Sequence, residues 1–164
     1  MEFDIHTVQS DFASPLGRII LAATQQRLTG LWFEGQRHQP DTSRWAVDAN
    51  HPVLQQAKAQ LAEYFSGQRT SFDLPLDLSG GTVFQQAVWQ ALLKVPGGTT
   101  CSYGALSAGI GRPTAVRAVG AAVGSNPLSI IVPCHRVIGA QGALTGYAGG
   151  LDRKKALLQL EGAL

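Results

Sequence analysis

Hydrophobic and polar positions alternate at the start of the chain and change period near its middle. In "FDIHTV", Phe3, Ile5 and Thr7 alternate with Asp4 and His6, as the two faces of a half-buried strand require. "SPLG" reads as a turn, "RIILAAT" as a second strand and "LTGLWFEG" as a third. The Gln25-Gln26 link predicts a hairpin, although neither residue is a favoured hairpin-turn residue. Residues 36–51 are polar and interrupted by proline, which predicts a loop. In "HPVLQQAKAQLAEYFSG", Leu54, Ala57, Leu61 and Phe65 recur at helical spacing, with Pro52 suited to the first turn and Gly67 to the end. "TSFDLPLDLSGG" then runs extended into a glycine pair, which places a domain boundary near residue 80.

The second half carries a helical period. Thr82 and Gln85 have capping-box spacing, and Phe84, Val88, Leu92 and Val95 share one face until Pro96-Gly97-Gly98 stops the helix. "SYGALSAG" predicts a short helix, "IGR" a tight turn, and Pro113 the opening of another helix through about Val123. Two short helices about a glycine turn predict a helix-turn-helix, a corner that many helical proteins share. Val116, Val119 and Val123 form an inward stripe; Thr114, Ala118, Ala121 and the single charge, Arg117, lie opposite. A face this bare lets its backbone come close to a partner. A DNA groove is one such partner and a second, close-packed helix is the other.

Composition narrows the classes. A chain of 164 residues buries a core without needing disulfides or metal. Hydrophobic content of 45% and charged content of 15% are those of an ordinary globular protein. A net charge of +2, with no run of lysine and arginine, excludes a broad basic surface as the main device for holding nucleic acid. "MEFDIHTVQSDF" lacks the basic start and apolar core of a leader, and no stretch reaches the ~18–20 apolar residues of a membrane helix. Two cysteines, Cys101 and Cys134, make no disulfide framework, so a reducing, cytoplasmic setting is expected.

The chemistry concentrates in "IIVPCHRVIG". One reading of Cys134 is a small apolar residue closing a core strand. The other is a nucleophile whose thiolate is favoured by His135 and Arg136. Neighbouring side chains in an extended segment point opposite ways, so a water between Cys134 and His135 suits the spacing better than direct contact. A base also needs its second nitrogen oriented. Glu161, on the apolar side of the last helix and opposed to the helix dipole, is either that orienter or part of a frayed end. No cluster with metal-ligand spacing accompanies the thiol.

"PCHRVIG", followed by "GYAGG" and preceded by "RAVGAAVGSNP", closely resembles the methylated-DNA–protein-cysteine methyltransferases, the O6-alkylguanine-DNA alkyltransferases. The resemblance runs through the whole second half and is thin in the first, where "SPLG" and "YFSG" carry it. It implies an α+β protein with two domains. Residues 1–80 would form a small, ribonuclease H-like domain of antiparallel sheet and helix. Residues 81–164 would form an all-α helix-turn-helix domain holding the active site. By the same resemblance Cys134 takes the alkyl group from guanine O6 irreversibly, once per molecule, with O4-alkylthymine as a further substrate class left open. His135 deprotonates it through water, and Glu161 orients His135. Tyr103 promotes nucleotide rotation and hydrogen-bonds the guanine, while Arg117 fills the gap in the base stack. Thr114, Ala118 and Ala121 line the helix face against the minor groove. Asn126 ties that helix to the active-site turn, Arg136 and Val137 support it, and Tyr147, Ala148 and Gly149 cover the alkyl pocket. Double-stranded DNA carrying alkylated guanine is the implied partner, with no cofactor, no metal and no membrane. A monomer is expected, with cooperative binding along DNA left open.

The chain departs from mammalian members at Gly124, where they carry a second arginine, and at Ala148, where they carry a serine. Their N-terminal zinc ligands have no counterparts, a bacterial pattern. Cys101 reads as structural. Two other classes compete. A transcription regulator would need side chains for major-groove edges. A Cys-His hydrolase would need an oxyanion hole and would leave Arg117 without a role.

Overall fold

The structure, a computed structural model, describes residues 3–164; Met1 and Glu2, the start of the polar N-terminal stretch, lie outside it. Strands β1 (Val8–Ser14), β2 (Gly17–Thr24) and β3 (Arg27–Phe33) form an antiparallel meander. A two-residue strand, β4 (Ala46–Val47), joins β1 in parallel, giving the order β3-β2-β1-β4. The expected strand at residues 3–8 is therefore displaced. Asp4 instead caps a turn, accepting from the His6 amide and, through its carbonyl, from the Thr7 amide and hydroxyl. Those local bonds offer the backbone an alternative to a ladder.

The Gln25-Gln26 hairpin forms as expected, and Gln25 takes φ 56°, in the left-handed region that its side chain disfavours. Gln25→Gly should therefore stabilise the protein by about 0.5–1 kcal/mol, read as a melting temperature a few degrees higher. An unchanged or lower melting point would contradict this account of the turn.

The β2 side chains sort by period 2. Ile19, Leu21 and Ala23 join the main core, under helix α1 (Pro52–Phe65), while Ile20 and Ala22 pack with Trp32 on the other face. Phe3 and Trp45 cover that second face, with ring centroids 5.6 Å and 5.9 Å from Trp32. In α1 the buried stripe is Leu54, Ala57, Leu61 and Tyr64; Tyr64, rather than Phe65, points inward. The free edge of β3 is closed twice by later chain. Leu28 donates to Pro75 O at 2.8 Å, and Leu31 donates to Pro127 O at 2.8 Å. The second closure fastens the segment leading to Cys134 onto the N-terminal sheet.

Beyond the N-terminal sheet the regular elements are helices and short 3-10 turns, apart from a two-residue parallel pair, and loops join them; the whole is a mixed α+β fold. Helix α2 (Val83–Leu92) begins with the full capping box of Thr82 and Gln85. It ends earlier than Pro96 requires, and turns carry the chain to β5 (Cys101–Ser102). Helices α3 (Tyr103–Gly109) and α4 (Val116–Gly124) make the helix-turn-helix, and α2 packs on both. Pro113 and Thr114 lie in the preceding turn, not in the helix. Val119 and Val123 are buried as expected, but Val116 is 39% exposed, because a first-turn residue overhangs the end of the packing surface. Ala122 takes the inward place and accepts from the Trp89 indole at 2.8 Å. Strand β6 (Val137–Ile138) pairs with β5, and α5 (Leu151–Leu160) closes the chain.

Candidate active site

"SIIVPC" is not a strand. Leu128 to Val132 fold into a tight reversal, with the Val132 amide donating to Leu128 O at 2.9 Å. Within it Ile130 is held at φ 72° while 1% exposed. A β-branched residue in that region costs about 1–3 kcal/mol, so the surroundings must impose it. Asn126 supplies one restraint. Its side chain accepts from the Leu128 amide at 2.9 Å and donates to Val132 O at 2.7 Å, bridging both sides of the reversal. Gln36 of the N-terminal half adds a longer contact to Ser129 at 3.4 Å. The reversal delivers Cys134 to the first position of a single 3-10 turn, Cys134–Arg136.

Cys134 is 5% exposed, and burial pushes its thiol up. The Asn126 amide and the Lys154 charge act in the opposite direction. Beside it His135 is fully buried. Its Nε2 lies 2.8 Å from Glu161 Oε2, while Nδ1 has no protein partner among the described residues. Burial lowers the imidazole pKa and Glu161 raises it, burial being the stronger. An ionised carboxylate only accepts hydrogen bonds, so Nε2 carries the proton and Nδ1 keeps the lone pair.

Glu161 is the C-cap of α5, the helix end where a carboxylate is disfavoured. Three side chains hold it there through four hydrogen bonds. Arg136 donates from Nε to Oε1 and from Nη2 to Oε2, both at 2.9 Å. Tyr64 donates to Oε2 at 2.7 Å, and His135 completes the set. Burial alone would push this carboxyl up; the bonds from His135 and Arg136 hold it down at about 2. Arg136 directs two further donors to Val95 O at 2.7 Å and Thr70 O at 2.8 Å, tying the pair to both halves of the chain. The terminus is braced, not frayed.

In front of the thiol lies a cavity of about 370 Å³, lined by Tyr103, Ala121, Cys134, Tyr147 and Ala148, with Arg37 and His38 from the N-terminal half. Tyr103 donates a long bond to Thr145 O at 3.4 Å, and burial pushes its phenol up. Gly149 is needed where it stands, since a Cβ there would lie 2.6 Å from the Tyr147 ring. Ala148 O accepts from the Arg37 amide at 3.0 Å, so the N-terminal half also anchors this wall. Lys154, fully buried, donates to Val137 O, to Thr145 O at 2.8 Å and to Gly146 O at 3.2 Å. One ammonium thus ties the chain after the thiol to the loop in front of it.

The residues expected at the site divide into three groups. Cys134, Tyr103, Ala121, Tyr147 and Ala148 line the cavity. His135, Glu161, Arg136, Asn126, Val137 and Gly149 are buried and do not line it. Thr114, Arg117 and Ala118 lie outside on the exposed face around α4. Sequence reasoning missed Tyr64, Lys154, Arg37 and His38. A signal existed for the first two. Tyr64 follows Leu54, Ala57 and Leu61 at helical spacing, and Lys154 shares the α5 stripe of Leu157, Leu158 and Glu161. Arg37 and His38 arrive on an irregular loop, where no period marks them. Among the described residues no group of three or more His, Cys, Asp or Glu could hold a metal ion. No described helix is long and apolar enough to cross a membrane.

Two family models match the chain. Residues 8–78 match the ribonuclease-like domain of 6-O-methylguanine DNA methyltransferase, and residues 83–163 match its DNA-binding domain. A methylated-DNA–protein-cysteine methyltransferase from Mycobacterium tuberculosis is 52% identical over 148 residues, covering 90% of this chain and 88% of that protein. One from Methanosarcina acetivorans is 47% identical, covering 93% and 96%. The crystal structure of the M. tuberculosis O6-methylguanine methyltransferase superposes with a TM-score of 0.87 at 49% identity, covering 96% of this chain and 93% of that one. A structure of the M. tuberculosis protein in complex with DNA superposes with a TM-score of 0.85.

Proposed function

Since this chain belongs to the methylated-DNA–protein-cysteine methyltransferases, a family of O6-methylguanine repair proteins with DNA as partner, we propose that Cys134 is its alkyl acceptor. The observation that carries the assignment is the thiol at the cavity floor, backed by the buried His135–Glu161 pair at 2.8 Å.

The Cys134 thiol passes its proton, through a water, to Nδ1 of His135. The thiolate attacks the alkyl carbon, forming the C–S bond as the C–O6 bond breaks. The electron pair passes to the guanine, which takes a proton from Tyr103, and the proton held on His135 passes through water to restore Tyr103. Thiol and alkylguanine become thioether and guanine, with no redox change and no cofactor. Nothing in the site can hydrolyse a thioether, so each molecule acts once.

A base stacked in a duplex cannot reach this cavity, and extruding it costs a few kcal/mol. Arg117 is the long side chain on the outward face of α4, among Thr114, Ala118 and Ala121, all exposed. In this reading the slim face enters the minor groove of alkylated duplex DNA and Arg117 takes the place of the extruded nucleotide. Residues 1–80 and 81–164 act as two domains about the site, in a monomeric protein of the cytoplasm.

The test is stoichiometric. After incubation with a duplex containing one O6-methylguanine, the peptide bearing Cys134 should gain a single methyl group. An unmodified peptide beside repaired DNA would overturn the assignment. Arg117→Ala should slow repair in duplex DNA by about 10–100-fold, corresponding to a few kcal/mol of lost extrusion support. Its reaction with free O6-benzylguanine should stay within about threefold of wild type; equal losses on both substrates would remove Arg117 from that role.

A further inference from the structure

We infer that Tyr64, a side chain of the N-terminal half, is a positioning residue that limits the charge Glu161 offers to His135 and so keeps the imidazole neutral and able to accept the Cys134 proton. The inference rests on the acceptor reading above and adds a member to that site.

The argument begins with an oversubscribed oxygen. Glu161 Oε2 receives Tyr64 at 2.7 Å, His135 at 2.8 Å and Arg136 Nη2 at 2.9 Å, whereas among the described residues Oε1 receives Arg136 Nε alone. A carboxylate oxygen has two lone pairs, so three donors must share them. Tyr64 makes the shortest of the three bonds to the atom that orients His135. In a buried site such sharing is not diluted by water.

Tyr64 cannot leave this arrangement easily. It is 1% exposed, with its ring edge-on to Phe65 at 5.2 Å and tilted against Phe72 at 5.5 Å. Burial and the adjacent Glu161 charge push its phenol well up, so it is a permanent donor. The charged and titratable groups around His135 are Glu161 and Arg136, then Lys154, with the Cys134 thiol adjoining it and the Tyr147 ring edge-on at 6.5 Å. Glu161 alone among them favours an imidazolium. Every donor that draws on Oε2 weakens that pull, and Tyr64 is the donor reaching it from outside the C-terminal half. The N-terminal half thereby contributes directly to the acceptor chemistry.

Single-turnover methylation of Cys134 by an O6-methylguanine duplex, followed from about pH 5 to 9, reads the protonation of the base. Tyr64→Phe should raise the midpoint of the acid limb by about 0.5–1 pH unit and slow the reaction several-fold on that limb, leaving the alkaline plateau within about twofold. The ¹⁵N titration of His135 should move the same way. Fluorotyrosine at position 64, a stronger donor of nearly equal size, should move the limb down and decides the matter should Tyr64→Phe fail to fold. An acid limb that stays in place, with or without a lower melting point, makes Tyr64 merely structural and overturns the inference. A wild-type protein whose Cys134 stays unmodified instead overturns the acceptor reading beneath it.

Discussion

Cys134→Ser is expected to abolish alkyl transfer, with a rate at least about 10³-fold below wild type, while duplex binding stays within about threefold. The reaction needs an anionic nucleophile in a place where burial already pushes the thiol up. A serine hydroxyl is a far weaker acid and a harder nucleophile, and His135, itself lowered by burial, cannot deprotonate it. The exchange of sulfur for oxygen leaves the reversal around Ile130 and the Asn126 bridge intact, so the loss should be chemical. Mass spectrometry of the Cys134 peptide and gel-shift titration with the same duplex separate the two effects. Residual repair by the serine variant, or methylation at Cys101, would remove Cys134 from its role.

Glu161→Gln should have the second-largest effect, acting on stability and rate together. The substitution leaves the Arg136 guanidinium buried without a counter-charge, and breaking such a pair costs about 3–5 kcal/mol. The amide also no longer enforces the Nε2–H tautomer, so methyl transfer should fall by about 100-fold or more even well below the melting temperature. The sign with pH follows from a carboxyl held at about 2, below its ordinary 4.5. Its stabilising contribution is complete above about 4.5 and is lost as pH falls toward 2; the variant should lack that acid-side dependence. A variant that melts like wild type and transfers methyl at a wild-type rate would show the cluster to be dispensable.

Different parts of this protein differ in how far they can be read before folding. Helix α1, the capping box of α2 and the α3–α4 corner follow from local spacing, because capping and amphipathic burial act within a few residues. The alternation in "FDIHTV" loses to hydrogen bonds of Asp4 that no period reports, and the first strand starts at Val8. Val116 and Phe65 fit a periodic stripe, yet the burial belongs to Ala122 and Tyr64, since helix ends and neighbouring elements decide where a stripe stops.

The Pro-Cys-His-Arg run and the bare helix with Arg117 follow from the chain alone, because adjacent residues and short helical periods carry them, and the family follows from what those motifs resemble. The tertiary structure decided the rest: Ile130 forced to a positive φ, Glu161 braced by Tyr64 and Arg136, and the pocket loop clamped by Lys154. Tyr64 and Glu161 meet across 97 positions, and Arg37 reaches Ala148 from an irregular loop. Contacts of that kind depend on how buried surfaces from distant segments pack together, and local sequence pattern does not encode which distant donor completes a buried acceptor.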